Sequence, residues 1–246
     1  MRRRDFVKLA GLSMLVPLLG ISTHGAINGY RTERIEMRAG LGVRTVFASD
    51  LHLHGFSNKL AIIEESEKPD LILLGGDLYD RRTRSLNDVT DTLSVVKARL
   101  VAVLGNHEHW CDYKYGKFKI NDGVKAIEKG GAIVLRDEVA KIMGITIQGL
   151  DWKEDFNYKD VDPNADITIV HTPDAFPFIK AKKVLAGHTH GGQICLPGGT
   201  PLYTNSHEGY FYGYYKSSDR WLFISKGLGE MVPPRIYCER DYVVLA

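Results

Sequence analysis

The sequence predicts an α/β fold, and three observations carry that expectation. In the first half, short apolar β-favouring runs alternate with segments of helical apolar spacing, which is the pattern of βαβ units. The second half keeps the apolar runs but is poor in helical segments, so antiparallel pairing is expected there. Five of the runs end in Asp, Asn or His, which gathers polar side chains at strand tips. The chain has 246 residues, 44% hydrophobic and 25% charged, enough for one good-sized domain with an ordinary packed core.

In chain order, the first segment is a targeting signal by pattern. Arg2-Arg3-Arg4-Asp5-Phe6-Val7-Lys8 precedes an apolar stretch from Leu9 to about Ile21, too short for a comfortable membrane span. Arg3-Arg4-x-Phe6-x-Lys8 resembles the twin-arginine export signal, with Arg2 where Ser or Thr is usual. That route carries already folded proteins, which suits one loaded with metal before export. Ser22–Ala26 is only a rough cleavage site, so the segment is expected to remain as an anchor. Residues 1–30 are therefore assigned to a signal or anchor and 40–246 to the folded domain. Location is expected in the periplasm or on the outer face of the cytoplasmic membrane, with the twin-arginine machinery as a partner.

Thr32–Ala39 is polar and mixed, a linker or first edge strand. Arg44–Asp50 (RTVFASD) is the first buried strand and runs into Asp50-Leu51-His52. Asn58–Lys68 has helical spacing with Leu60 and Ile63 on one side, and Pro69 closes it. Asp70–Gly76 is the second run, ending in Asp77. Leu86–Ala98 reads as a helix with Val89, Leu93 and Val96 on one face. Arg99–Gly105 is the third run, ending in Asn106-His107-Glu108-His109-Trp110, and Phe118–Lys129 is a helix stopped by Gly130-Gly131. Ala132–Leu150 alternates in short pieces, as a hairpin or meander does. Asp166–His171 is a further strand, and Phe176–Lys182 a short helix. Val184–Gln193 (VLAGHTHGGQ) is a strand that breaks at Gly187 and delivers His188 and His190 before two glycines. Ile194–Gly213 is loop-like, and Trp221–Ser225 and Tyr242–Leu245 are closing strands.

Some function classes fall away on composition. A formal charge of +2 leaves no nucleic-acid footprint. Cys111, Cys195 and Cys238 have neither metal spacing nor a disulfide framework and read as packing residues.

The strand tips carry the chemistry. They bring Asp50, His52, Asp77, Asn106, His107, His171, His188 and His190 to the place where open α/β sheets bind ligands. Asp, Asn and His make a mixed N/O shell suited to divalent first-row ions. Setting His107 aside, seven donors exceed one tetrahedral site with an open position. They fit two metals that share a bridging carboxylate and clamp both oxygens of an in-line phosphoryl displacement.

Asp50-x-His52, Gly76-Asp77, Gly105-Asn106-His107-Glu108, His171 and Gly187-His188-x-His190, in that order, resemble the signature of the calcineurin-like metallophosphoesterases. The resemblance implies two mixed β-sheets packed as a sandwich flanked by helices. It implies Asp50, His52 and His190 at a first metal, Asn106, His171 and His188 at a second, and Asp77 bridging them. His107 would be the catalytic residue, stabilising the transferring phosphoryl group or protonating the leaving oxygen. Gly76-Asp77-Leu78-Tyr79-Asp80-Arg81 also resembles the protein-phosphatase form of the second motif, in which the later Asp orients the catalytic His and the Arg contacts phosphate. Arg82 stands where that form has Gly.

HTHGGQICLPGG is similar to exported bacterial phosphodiesterases of the family, and to membrane-associated enzymes that cut the pyrophosphate of a UDP-linked acylated sugar. His54, Trp110, Tyr203 and His207 are candidate pocket residues. The expected activity is a dinuclear phosphodiesterase acting, as a monomer, on an envelope, lipid-linked or wall-linked phosphoester. A metal-bridging hydroxide would attack in line, the bound water's pKa falling from about 15.7 toward about 7. Manganese leads iron, zinc and magnesium as the expected ion. The alternatives are a UDP-diacylglucosamine-type pyrophosphatase, a phosphomonoesterase and, outside enzymes, a binding scaffold on the same fold. A nuclease ranks lower for want of a basic aromatic groove.

Overall fold

The computed structural model describes Gly29 and residues 31–246, as two six-stranded mixed sheets packed face to face. The expected signal or anchor, residues 1–30, lies outside the described residues apart from Gly29. Among the described residues no helix is long and apolar enough to cross a membrane.

The first half runs β1 (Thr32–Met37), β2 (Thr45–Ala48), α1 (Lys59–Glu67), β3 (Leu71–Leu74), α2 (Leu86–Ser94) and β4 (Arg99–Ala102). Then come α3 (Asn106–Tyr113), α4 (Ile120–Lys129) and β5 (Ala132–Val134). The second half holds β6 (Glu138–Ile142), β7 (Ile145–Leu150), β8 (Ile167–Val170) and β9 (Lys183–Ala186). It ends with β10 (Gly213–Ser217), β11 (Arg220–Ile224) and β12 (Arg240–Leu245).

The first sheet has the order β1-β12-β2-β3-β4-β5. Strands β2 to β5 are parallel and joined by helical crossovers, as the alternation of patterns predicts. Strand β12 returns antiparallel to β2 and parallel to β1, so the mixed Thr32–Ala39 stretch contains an edge strand. Its exposed positions explain the polar composition.

The second sheet has the order β10-β11-β9-β8-β7-β6, and here the antiparallel expectation holds only in part. The outer hairpins β6–β7 and β10–β11 are antiparallel, whereas β7, β8, β9 and β11 are parallel neighbours. A parallel crossover needs length, though not a helix. The segments after β7 and β8 supply that length as irregular chain and bury Tyr158, Phe176 and Ile179 on the sheet's outer face. The helix expected over Phe176–Lys182 does not form; only a 3-10 turn, Pro173–Ala175, precedes it. Phe176 itself keeps helical angles (φ −57°, ψ −39°), but Pro177 brings no backbone N–H and the turn goes no further.

Asn106–Trp110 opens helix α3 directly after the third run. Gly105 is extended at the N-cap, and the Glu108 carboxylate accepts its N–H at 2.8 Å. Helices α2 and α4 are shorter than their patterns, ending at Ser94 and starting at Ile120.

Period-two alternation sorts each central strand between two cores. Phe47, Leu71, Leu73, Val101 and Val243 face the second sheet and meet Ile147, Ile167, Ile169, Leu185 and Phe223. Val46, Ile72, Leu74, Leu100 and Val244 face the helices and meet Leu60, Val89, Leu93 and Ile127. Burial on both faces explains why these strands read as unbroken apolar runs.

The sheets come close enough that Gly149 of β7 has no room for a side chain. A Cβ there would lie 2.3 Å from the Leu135 Cβ and 3.0 Å from a Val103 methyl. Leu135 cannot relieve this without moving its backbone. Gly149→Ala is therefore expected to lower stability by about 1–3 kcal/mol through overpacking. Urea unfolding of the two proteins measures it, and an unchanged midpoint would show that the sheets yield at this point.

Candidate metal centre

Both sheets aim the same ends of their strands at one edge of the sandwich. Asp50 and His52 follow β2, Asp77 follows β3, and Asn106 and His107 open α3 after β4. His171 follows β8, and His188 and His190 follow β9. Each lies beyond the regular pairing, yet the ladder persists between the first two tips. The N–H of Asp50 donates to Gly76 O, and that of His52 to Asp77 O, both at 3.0 Å.

The expected donors meet. His52 Nε2 lies 3.2 Å from His190 Nε2, which is 3.5 Å from Asp50 Oδ1. His171 Nε2 lies 3.2 Å from His188 Nδ1, 3.0 Å from Asn106 Oδ1 and 3.2 Å from Asp77 Oδ2. Asp77 Oδ2 is also 3.8 Å from His52 Nε2, so this carboxylate faces both groups. Two donor clusters result from the expected ligands, Asp50–His52–His190 and Asp77–His171–His188, and a third grouping, His52–Asp77–His107, lies between them. His107 Nε2 stands 3.9 Å from Asp77 Oδ2, and its Nδ1 is buried without a hydrogen-bond partner.

Packing at this density dictates the backbone. Asp50, His52, Asp77, His188 and His190 all have positive φ, between 44° and 72°. Such residues cost roughly 1–3 kcal/mol each and survive only where the surroundings over-determine them. The flanking glycines are equally constrained. A Cβ on Gly105 would lie 2.2 Å from Asp77 Oδ1, and one on Gly187 would lie 2.3 Å from Asp50 Oδ2.

The ring nitrogens that point away from the centre are held in place. His52 Nδ1 donates to Asp80 Oδ2 at 2.8 Å, and His171 Nδ1 donates to Gly75 O at 2.8 Å. Each bond keeps the proton on Nδ1 and turns the Nε2 lone pair inward. Arg235, fully buried, backs His190; its Nη2 donates to Lys226 O and Gly229 O and lies 3.1 Å from His190 Nδ1.

Burial sets the electrostatics. It raises Asp50 above the usual carboxylate range. Asp77 feels the same penalty, but the His171 and His107 imidazoles hold it well below that range. Burial also opposes charge on His171, yet Asp77 and Asp50 keep it up at about 10. Burial and the His171 charge push His188 down to about 3, and burial with His52 and Arg235 puts His190 well below its usual value. His107 is lowered by burial. His171 thus carries a proton beside the two carboxylates while His188 and His190 stay neutral; a divalent cation would take over that positive charge, and the Asp, Asn and His donor set fits one.

Of the remaining expected residues, Asp80 does not meet His107. It accepts from His52 and from His54 Nε2 at 2.9 Å, and burial resists its charge while these bonds bring it down to about 2. The protein-phosphatase role therefore does not carry over. Trp110 and His207 line a cleft of about 380 Å³ beside His188, together with Trp152, Glu154 and Phe156. The Trp152 ring is 5.3 Å from that of His188, and Trp110 is 5.2 Å from His107. Tyr203 is 71% exposed and takes no part in this lining.

Trp152 carried a signal that went unused. Its run, ending Leu150-Asp151-Trp152, has the same form as the other five. Asp151 itself is engaged by His109 Nε2 and Arg136 Nε, both at 2.8 Å, rather than by the donor clusters.

Glu108 is the structural residue that sequence reasoning left without a role. Its buried carboxylate accepts N–H bonds from Asp77 (3.0 Å), Leu78 (2.6 Å), Tyr79 (3.2 Å) and Gly105 (2.8 Å), locking two strand tips together. In Glu108→Gln an amide NH₂ would face N–H donors and leave buried groups unpaired, for a loss of about 2–4 kcal/mol. Chemical denaturation checks this; native-like stability would mean that the loops find other acceptors.

Residues 43–192 match the family described as calcineurin-like phosphoesterase. An uncharacterized metallophosphoesterase of Aquifex aeolicus is 27% identical, covering 89% of this chain and 90% of its own. Phosphodiesterase YaeI of Escherichia coli is 27% identical over 82% of this chain and 81% of its own. The uncharacterized metallophosphoesterase YkuE of Bacillus subtilis is 28% identical over 76% and 72%. The matched span runs from before Asp50 to beyond His190 and so contains every donor at the strand tips; this chain belongs to the calcineurin-like phosphoesterase family.

Proposed function

We propose that the protein is a dinuclear metal-dependent phosphodiesterase whose substrate is an envelope phosphoester. The observation that carries this reading is the placement of Asp77, a single buried carboxylate facing both donor clusters. Asp50, His52 and His190 would hold one cation; Asn106, His171 and His188 the other; Asp77 both. Bound there, two cations would neutralise phosphoryl oxygens and supply an acidified water at neutral pH.

The chain's own residues do the rest. The Asp80 carboxylate and the Gly75 carbonyl keep protons on the outer nitrogens of His52 and His171. His107 is held by its backbone N–H to Asp77 Oδ1 at 2.9 Å and by its ring against Trp110. Burial weakens its hold on a proton, so the ring is largely neutral at pH 7 and would stabilise the transferring phosphoryl group as a hydrogen-bond donor, with only its protonated fraction able to protonate the leaving oxygen. Trp110, Trp152 and Phe156 offer apolar walls to the organic part of a diester beside this acid. The relative YaeI is named a phosphodiesterase, which supports diesters ahead of monoesters or pyrophosphates. A non-catalytic scaffold is disfavoured because His107 and all seven donors are retained. Export by the twin-arginine route, an anchored position at the membrane and manganese as the ion belong to the same proposal; the Arg3-Arg4 pattern and the N/O donors support them.

Four experiments test it. Metal-reconstituted protein should hydrolyse an aryl phosphodiester faster than the corresponding monoester. Chelator should abolish turnover, and Mn²⁺ should restore it. Asp77→Asn should remove activity and lower metal content at both positions; full metal content would count against the shared carboxylate. His107→Ala should slow turnover about 10²–10⁴-fold with metal content unchanged. Loss of metal in that variant would instead make His107 a ligand.

A further inference from the structure

The cysteines are not equivalent. Cys111 is sealed in the core between the first sheet and its helices. Cys195 and Cys238, far apart in sequence, are brought side by side behind the loop that carries His190. The backbone arranges this: Cys195 N–H donates to Ile236 O at 2.9 Å, next to a bridge between Ile194 and Ile236. Both sulfurs converge on one oxygen. Cys195 Sγ lies 3.4 Å and Cys238 Sγ 3.5 Å from Gly191 O, which places the two thiols beside one another. Cys238 Sγ is also 3.1 Å from His190 O.

Both are buried, 4% and 2% exposed, yet border open space at the surface. Both line a surface cavity of about 400 Å³ together with Glu33, Tyr212 and Lys226. Lys226 Nζ is tied to Glu33 at 2.9 Å and lies 5.2 Å from the Tyr212 ring centroid, which places a cation at the wall of the thiol cavity.

We propose that Cys195 and Cys238 form a dithiol–disulfide couple that, when oxidised, fastens the loop bearing His188 and His190 to the segment entering β12. The oxidant is a small-molecule disulfide. One protein thiolate attacks a sulfur of that disulfide, giving a mixed disulfide and releasing one thiol. The second protein thiolate then displaces the other half. In sum two S–H bonds are lost and one S–S bond forms; two electrons and two protons pass to the oxidant, which leaves as two thiols. The cross-link removes freedom from the unfolded chain between the two cysteines and holds the Gly191 carbonyl region in place.

The test uses the full chain, folded, first reduced and then exposed to oxidised glutathione. Remaining thiols are alkylated after unfolding, and the digest is weighed. A peptide pair joined through Cys195 and Cys238, with Cys111 alkylated, is the expected result. The oxidised protein should also unfold about 5 °C higher than the reduced one, a shift absent in Cys195→Ser. In that variant Cys238 should instead retain one glutathione. Recovery of both cysteines alkylated, a cross-link that includes Cys111, or a Cys195–Cys238 cross-link with no rise in unfolding temperature would overturn the proposal.

Discussion

Two carboxylates, Asp50 and Asp77, are buried where the two sheets meet, and much of the architecture answers to that one constraint. A desolvated carboxylate is unstable unless positive charge or hydrogen-bond donors surround it. Here five histidines and an asparagine converge on the pair from four strand tips. No single sheet presents so many tips at one point. The second sheet contributes the three histidines that complete the two donor clusters, so the sandwich is a requirement of the site as well as a way of burying apolar faces.

That convergence is expensive locally and is stabilised from behind. Five of the donors adopt left-handed backbone conformations, and glycines stand where carboxylate oxygens come within about an atom's width of the neighbouring chain. Glu108 offsets part of this by gathering four backbone N–H groups from the two loops that carry Asp77 and His107. Asp80, Gly75 O and Arg235 stand behind the imidazoles from three directions. Metal centres are tuned by such outer partners, which fix the tautomer and the aim of each ring.

Membership of the calcineurin-like family accounts for the chemistry shared by the strand tips. Selectivity lies with the irregular segments, since the same centre serves many phosphoesters. The aromatic cleft is built from three separate places: Trp110 on α3, Trp152 and Phe156 after β7, and His207 in the long loop after β9. The thiol pair is likewise made by that loop and the approach to β12. Apart from Trp110, both features sit on chain outside regular strand and helix.

The sequence by itself determined the α/β class, the parallel first half and the identity of the residues at the strand tips. Apolar runs, helical spacing and a terminal Asp, Asn or His are local properties, and period-two burial on both faces writes them directly into composition. Only the tertiary structure decided the parallel pairing of the second sheet, because its crossovers lack helical periodicity and a proline breaks the one that had it. It alone decided that Asp80 serves His52, that Asp151 is taken up by Arg136 and His109, and that Cys195 meets Cys238. Each of these depends on which distant side chain arrives within a few ångströms, and sequence spacing holds no record of that.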